Sequence, residues 1–232
     1  HFQLKGRQIT GDFHIFQTKD DQWLIERISP NKVELPASFD PMLADLSDGK
    51  IPPSSDYFFE IKWDGIRINL VKNHDEITIT SRGGRDISNQ FPEVIAAAKE
   101  IKAEQVSLDG ELVVLDDQGK PVFAKIISRL HQKKVSATSK SNQCTAYFFD
   151  LLYLDGLITK DMPVERRRAW VKAVLPVGEI LRFSEAFEDG NTLWEAVKTH
   201  GLEGVICKRK ASKFVANRSK SWLKVKVRSD ER

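Results

Sequence analysis

From Tyr57 onward the chain is a close succession of short strand-like runs: "YFFEI", "IRINLVK", "EITITS", "VSLDGELVVL", "CTAYFFDLLYL", "EGVICKR" and "SWLKVKV". Ile66, Ile68 and Leu70 alternate with polar neighbours, the period of a half-buried strand. Helical patterns are few. "FPEVIAAAKEIKA" has Pro92 at a first helical position, with Val94, Ile95, Ala98 and Ile101 on one face. "PVERRRAWVKAVL" places Trp170 and Val174 four apart, and "NTLWEAVKTHG" has a Thr192-to-Glu195 capping box with Gly201 as a stop. Many strands, three inserted helices and no βαβ rhythm predict an α+β fold of antiparallel β-sheets flanked by helices, not a doubly wound sheet. "VSLDGELVVLDDQGKPVF" predicts a hairpin turning at Asp116 to Gly119.

The organisation predicted is a strand-rich segment over residues 1–29, a Pro-, Ser- and Asp-rich linker and lead-in over 30–56, and one domain over 57–232. The chain begins at His1 and reads as a piece of a longer protein. No run approaches a membrane span and no signal peptide is visible. Cys144 and Cys207 have no metal-ligand neighbours and make no disulfide framework, which predicts a reducing, intracellular setting. Residues 201–232 hold ten Lys/Arg against three Asp/Glu, a local +7 in a chain of net +3, so the first 200 residues carry −4. That basic end fits a polyanionic partner through phosphate contacts, or else a solvated tail.

Five stretches carry chemistry. In "EIKWDGIRINLV", Asp64-Gly65 reads as a tight turn, with Lys62 at a strand end and Arg67 on the next strand, two cations beside apolar surface; a basic hairpin face is the plain alternative. In "SLDGELVVLD", Asp109 and Glu111 face one way and Leu108, Leu112 and Val114 the other, so the carboxylates can hold a ribose hydroxyl or a magnesium ion, or simply face solvent. Phe148 and Phe149 point to opposite faces, so one can offer a ring to a base. Glu203 precedes a glycine at a strand start, and ideal alternation puts Lys208 on the opposite face. Trp222, Lys224 and Lys226 share a face, making a cationic rail that suits a phosphate chain or guards an exposed edge.

In this order, Lys62-Trp63-Asp64-Gly65-Ile66-Arg67, Ser81-Arg82, Asp109-Gly110-Glu111, Phe149-Asp150, Glu203-Gly204 and Lys224-Val225-Lys226 resemble the motif series of the covalent nucleotidyltransferases: ATP-dependent DNA ligases, RNA ligases and mRNA capping enzymes. The resemblance covers roughly residues 36–228. "FFDLLYLDG", "EGVICKR" and "RSKSWLKVK" are most similar to ATP-dependent DNA ligases. "PMLAD" and "SRGGRDIS…FPEV" resemble the ligase modules of bacterial ligase D proteins, which repair double-strand breaks with Ku. "LKGRQITGDFHIF" and "WLIE" resemble the tail of the 3′-phosphoesterase module that precedes such ligases.

The resemblance implies the ATP-grasp-like adenylation domain of DNA ligases, with the C-terminal OB-fold absent. It implies ATP and Mg2+ (or Mn2+) as cofactors. The implied partners are nicked double-stranded DNA, Ku, and a polymerase or phosphoesterase module of the same polypeptide, in non-homologous end joining. The location implied is cytoplasmic, nucleoid-associated and not membrane-bound. Lys62 is the implied nucleophile that becomes lysyl-AMP and passes AMP to a 5′-phosphate. A free lysine titrates near ~10.4, so a nucleophilic one needs nearby cations or desolvation. Glu60 would accept from the adenine amine and Phe149 would stack on the base. Glu111 would meet the ribose or an ion, and Glu203 would hold the metal. Lys224 and Lys226 would hold the α-phosphate. Arg67 and Arg82 would contact ribose or phosphates, and Arg82, Phe123 and Arg218 would contact DNA. Rival readings are an RNA ligase, a GTP-dependent capping enzyme, or a non-catalytic nucleic-acid-binding domain.

Overall fold

The computed structural model describes residues 2–5, 10–19, 22–27, 33–132 and 143–227. Three strands, β1 (Phe2–Lys5), β2 (Thr10–Lys19) and β3 (Gln22–Arg27), form an antiparallel sheet of their own in the order β1-β2-β3. β4 (Met42–Leu46) lies inside the stretch read as a linker. Buried Met42 and a parallel pairing to the last strand make that lead-in part of the main body, so the unit starts before residue 57.

β5 (Tyr57–Ile61) and β6 (Ile66–Asn73) do not pair, contrary to the hairpin reading of "KWDG". Residues 62–65 instead carry the chain from one sheet to another. Gly65 allows this because its backbone runs against the neighbouring backbone at Leu112: a Cβ there would stand 2.0 Å from the Leu112 carbonyl oxygen. β6 pairs antiparallel with β7 (Glu76–Ser81) and with β8 (Gln105–Val114), which flank it. Between β7 and β8 runs α1 (Pro92–Ala98), with Pro92 in its first turn as expected.

After β8 the Asp116–Gly119 turn forms, with Gly119 at φ 80, but the return arm is only a Leu115–Pro121 bridge. α2 (Phe123–Leu130) follows in place of the expected strand. Phe123, Ile126, Ile127 and Leu130 repeat at helical spacing, and Ile126 is fully buried. β9 (Cys144–Leu154), buried along its whole length, adds to β8, with β10 (Leu157–Ile158) on its far edge. α3 (Val164–Val174) then packs on this sheet, and β11 (Leu181–Phe183) joins β9 in parallel.

The second sheet has the order β12-β5-β13-β14-β4, with β12 (Ala186–Phe187), β13 (Gly204–Arg209) and β14 (Asn217–Lys226). α4 (Gly190–Thr199) covers it. Its cap is Asp189, whose carboxylate accepts from the Asn191 and Thr192 amides and the Thr192 hydroxyl, so the box read at Thr192 sits three residues late. Gly201, at φ 59, ends the helix as expected. Among the described residues the sheets are antiparallel-rich and flanked by four α-helices, the predicted α+β class.

Three apolar clusters hold this together. One lies between the β6–β9 sheet and α1–α3, and one between the second sheet and α4. The third joins the two sheets through Met42, Phe58, Phe149, Leu152, Val164, Phe214 and Trp222. That seam forms the floor of the main cavity.

Candidate nucleotide site

A cavity of about 210 Å³ opens where the two sheets meet. β5 contributes Glu60, the crossing contributes Lys62 and Trp63, and β6, β8 and β9 contribute Arg67, Glu111 and Phe149. β13 and β14 add Ile206, Lys208, Arg218, Trp222 and Lys224, and β4 adds Leu43 and Ala44. Arg82 lines both this cavity and a neighbouring one of about 240 Å³.

Lys62 ion-pairs with Glu203, whose second oxygen takes Lys226 at 3.1 Å. Burial pushes the Glu203 carboxyl up, but the hydrogen bonds and charges of Lys62 and Lys226 outweigh it, and the net is below the usual carboxylate value. Lys224 is depressed, first by burial and then by Arg218, Lys226, Lys62 and Arg82. Those five cations therefore act on one another and form a field suited to a polyphosphate.

Arg67 is gripped by Asp109 through two bonds of 2.5 and 2.7 Å and also donates to the Met42 carbonyl at 3.2 Å. Its guanidinium lies 4.5 Å from the Phe149 ring centroid. Asp109 is thus committed to Arg67, while Glu111, its neighbour on the same strand face, lines the cavity. Burial pushes Glu111 up to about 8, against the pull of Arg67 and Lys62. Phe148 faces the core and Phe149 the cavity, as alternation predicts.

Glu60 is almost wholly buried and accepts from Arg168, and from Lys208 at 2.7 Å. Lys208 shares the site after all, which corrects the expectation that it faces away. Gly204, at φ 155, breaks the strand alternation between Glu203 and Val205: Glu203 turns to Lys62 while Lys208 keeps the face of Ile206. A Cβ on Gly204 would stand 2.1 Å from the Val225 carbonyl oxygen. The Lys208 ammonium sits 4.6 and 4.2 Å from the Phe149 and Trp222 ring centroids, and burial first of all pulls it down to about 8.

Sequence reasoning also missed Trp63, which stacks on Tyr147 at 3.7 Å and donates to the Ser184 hydroxyl at 3.1 Å, and it missed Arg168. The "ERRR" run carries no more than a helical assignment in the sequence, yet Arg167 and Arg168 are buried. Phe123 opens α2, exposed, and lies outside the cavity lining; Lys226 joins through Glu203. Among the described residues, no group of three or more His, Cys, Asp or Glu converges. Glu111 and Glu203 fit an oxygen-seeking ion that keeps most of its waters, because such an ion needs only one or two carboxylates.

Residues 41–226 match the family described as "ATP dependent DNA ligase domain". The multifunctional non-homologous end joining protein LigD of Mycolicibacterium smegmatis is 31% identical over 225 residues, covering 97% of this chain. The chain spans only 28% of that relative's length. A DNA ligase of Thermococcus onnurineus is 31% identical over 199 residues, covering 80% of the chain and 35% of the relative. A mycobacterial DNA ligase D, solved in complex with ATP and MES, superposes with a TM-score of 0.66 at 31% identity, covering 81% of this chain and 60% of that one. With the match spanning both sheets and every wall of the cavity, the chain belongs to the ATP-dependent DNA ligase domain family.

Proposed function

We propose that this chain is the adenylation core of an ATP-dependent DNA ligase that works in double-strand break repair. The observation that carries the reading is the placement of the Lys62 amine. It lies at the wall of a nucleotide-sized cavity, beside Glu203 and within a cluster of four other cations.

In this reading the neutral Lys62 amine attacks the α-phosphorus of ATP. A P–N bond forms, the bond to the bridging oxygen breaks, and pyrophosphate leaves with that electron pair. Glu203, already bonded to Lys62, is the nearest acceptor to hand the amine's proton on to solvent. Lys224 and Lys226 hold the α-phosphate, Arg67 and Arg82 hold ribose and phosphates, and Glu111 meets the ribose. Phe149 stacks on adenine and Glu60 takes its amine. A bound magnesium ion, held by Glu203 or Glu111, would neutralise charge on the phosphates. AMP then passes to the 5′-phosphate of a nick. Arg82, Arg218 and Phe123 contact that DNA, and Ku and sibling modules of the same polypeptide are partners. Among the described residues no helix is long and apolar enough to cross a membrane. A nucleoid-associated, cytoplasmic place belongs to the same proposal.

Intact mass spectrometry with ATP and a divalent ion tests this. The wild-type chain gains one AMP, Lys62→Ala gains none, and Lys62→Arg also gains none because guanidinium stays protonated. AMP attached to the Lys62→Ala chain would remove Lys62 from the mechanism. GTP labelling in place of ATP, or sealing of nicked RNA in place of DNA, would favour the capping or RNA-ligase readings.

A further inference from the structure

We propose that Arg168 of α3 is a positioning residue that sets the choice of purine, by fixing Glu60 as a hydrogen-bond acceptor at the base end of the cavity. The proposal rests on the nucleotide-binding reading above and adds to it the group that aligns the base reader.

Glu60, Lys208, Phe149 and Trp222 form the aromatic end of the cavity, and the other cations cluster around Lys224. Arg168 does not line the cavity. One end of its fork meets Glu60 and the other donates to the Ser184 carbonyl at 2.7 Å. Its guanidinium lies over the Phe183 ring at 4.5 Å and near Phe58 at 5.1 Å. A planar cation bonded at both ends and packed on rings holds one orientation.

Arg168 and Lys208 both land on Oε1 of Glu60, and among the described residues no donor reaches Oε2. Oε2 is therefore the acceptor available to a base. An ionised carboxylate accepts and cannot donate, so it takes an amine at purine C6 and repels a carbonyl oxygen there. Without the fork, the carboxylate loses its fixed orientation and Oε2 is no longer held toward the base.

The neighbouring arginine supplies a built-in control. Arg167, wholly buried, grips Asp150 through bonds of 2.7 and 2.9 Å, next to Phe149 in sequence. Ring stacking does not distinguish amine from carbonyl, so Arg167 supports both purines alike.

Dissociation constants for ATP, GTP and ITP measured by calorimetry, in a Lys62→Ala background that prevents turnover, test the idea. Arg168→Lys and Arg168→Gln should each lower the ATP-over-GTP preference by roughly tenfold or more, with ITP following GTP. Arg167→Lys should weaken all three nucleotides and leave the ratio unchanged. Glu60→Gln should collapse the ratio, and adding Arg168→Lys should lower it no further. The ratio is internal to each preparation, so a partly unfolded fraction cancels. A ratio preserved in both Arg168 variants but lost in Glu60→Gln overturns the positioning role and leaves the base site standing. A ratio preserved in Glu60→Gln, or a wild-type chain that binds ATP and GTP equally, overturns both. ITP binding like ATP moves discrimination to the 2-amine and also overturns the proposal.

Discussion

Glu111 is a carboxyl whose surroundings in the folded chain favour the protonated form. Burial raises it from 4.5 to about 8, and the charges of Asp109 and Glu203 add to that push. The unfolded chain releases this proton near 4.5, so between about 4.5 and 8 the folded state binds more protons. Stability contributed by this group therefore falls as pH rises through that window and is level above it. Glu111→Gln removes the slope. Its melting temperature should exceed wild type at pH 8 and converge toward it at pH 5, a gap on the order of a few kcal/mol at most, since the side chain is only half-buried. Convergence at pH 8 instead would show that the carboxyl ionises normally. A neutral Glu111 can donate to a ribose hydroxyl, whereas an ion taking its place would have to expel the proton.

At the scale of elements, β13 and β14 decide whether Lys62 meets its carboxylate. Gly204→Ala inserts a methyl 2.1 Å from the Val225 carbonyl oxygen, in rigid backbone. The strands must part there, Glu203 swings from Lys62 and Lys226, and stability should drop by about 1–3 kcal/mol in urea titration, with adenylation slowed more than melting alone explains. An unchanged denaturation midpoint would mean that the strands yield without cost. This junction also marks where the sequence stops being legible. Alternation correctly sorted Phe148 from Phe149 and the Lys224–Lys226 rail from Leu223 and Val225, because those strands are regular. It misplaced Lys208 because one glycine with positive φ resets the parity. It missed α2 because a turn followed by "PVF" looks like a returning strand until the four-residue spacing beyond it is counted. Arg168 was hidden for another reason: a charged residue on a helix reads as surface unless its partner, Glu60 on a distant strand, is known.

For the molecule as a whole, the charge balance near zero conceals a one-sided distribution. Arg82, Arg218 and Lys224 share one cavity. On nicked duplex DNA, Arg82→Ala and Arg218→Ala should each weaken binding and lower the slope of log affinity against log salt by about 0.9. Equal slopes in wild type and both variants would place the DNA elsewhere. The site also depends on a pairing between distant parts of the chain. β4 lies in parallel beside β14, with Met42 opposite Asn217. Synthesis delivers β4 well ahead of β14, so a ribosome-held chain that stops short of Asn217 has neither the rail nor a partner for Leu43 and Ala44. Translation products that end before β14 should thus be unable to trap nucleotide, because the strand that completes the cavity is still missing.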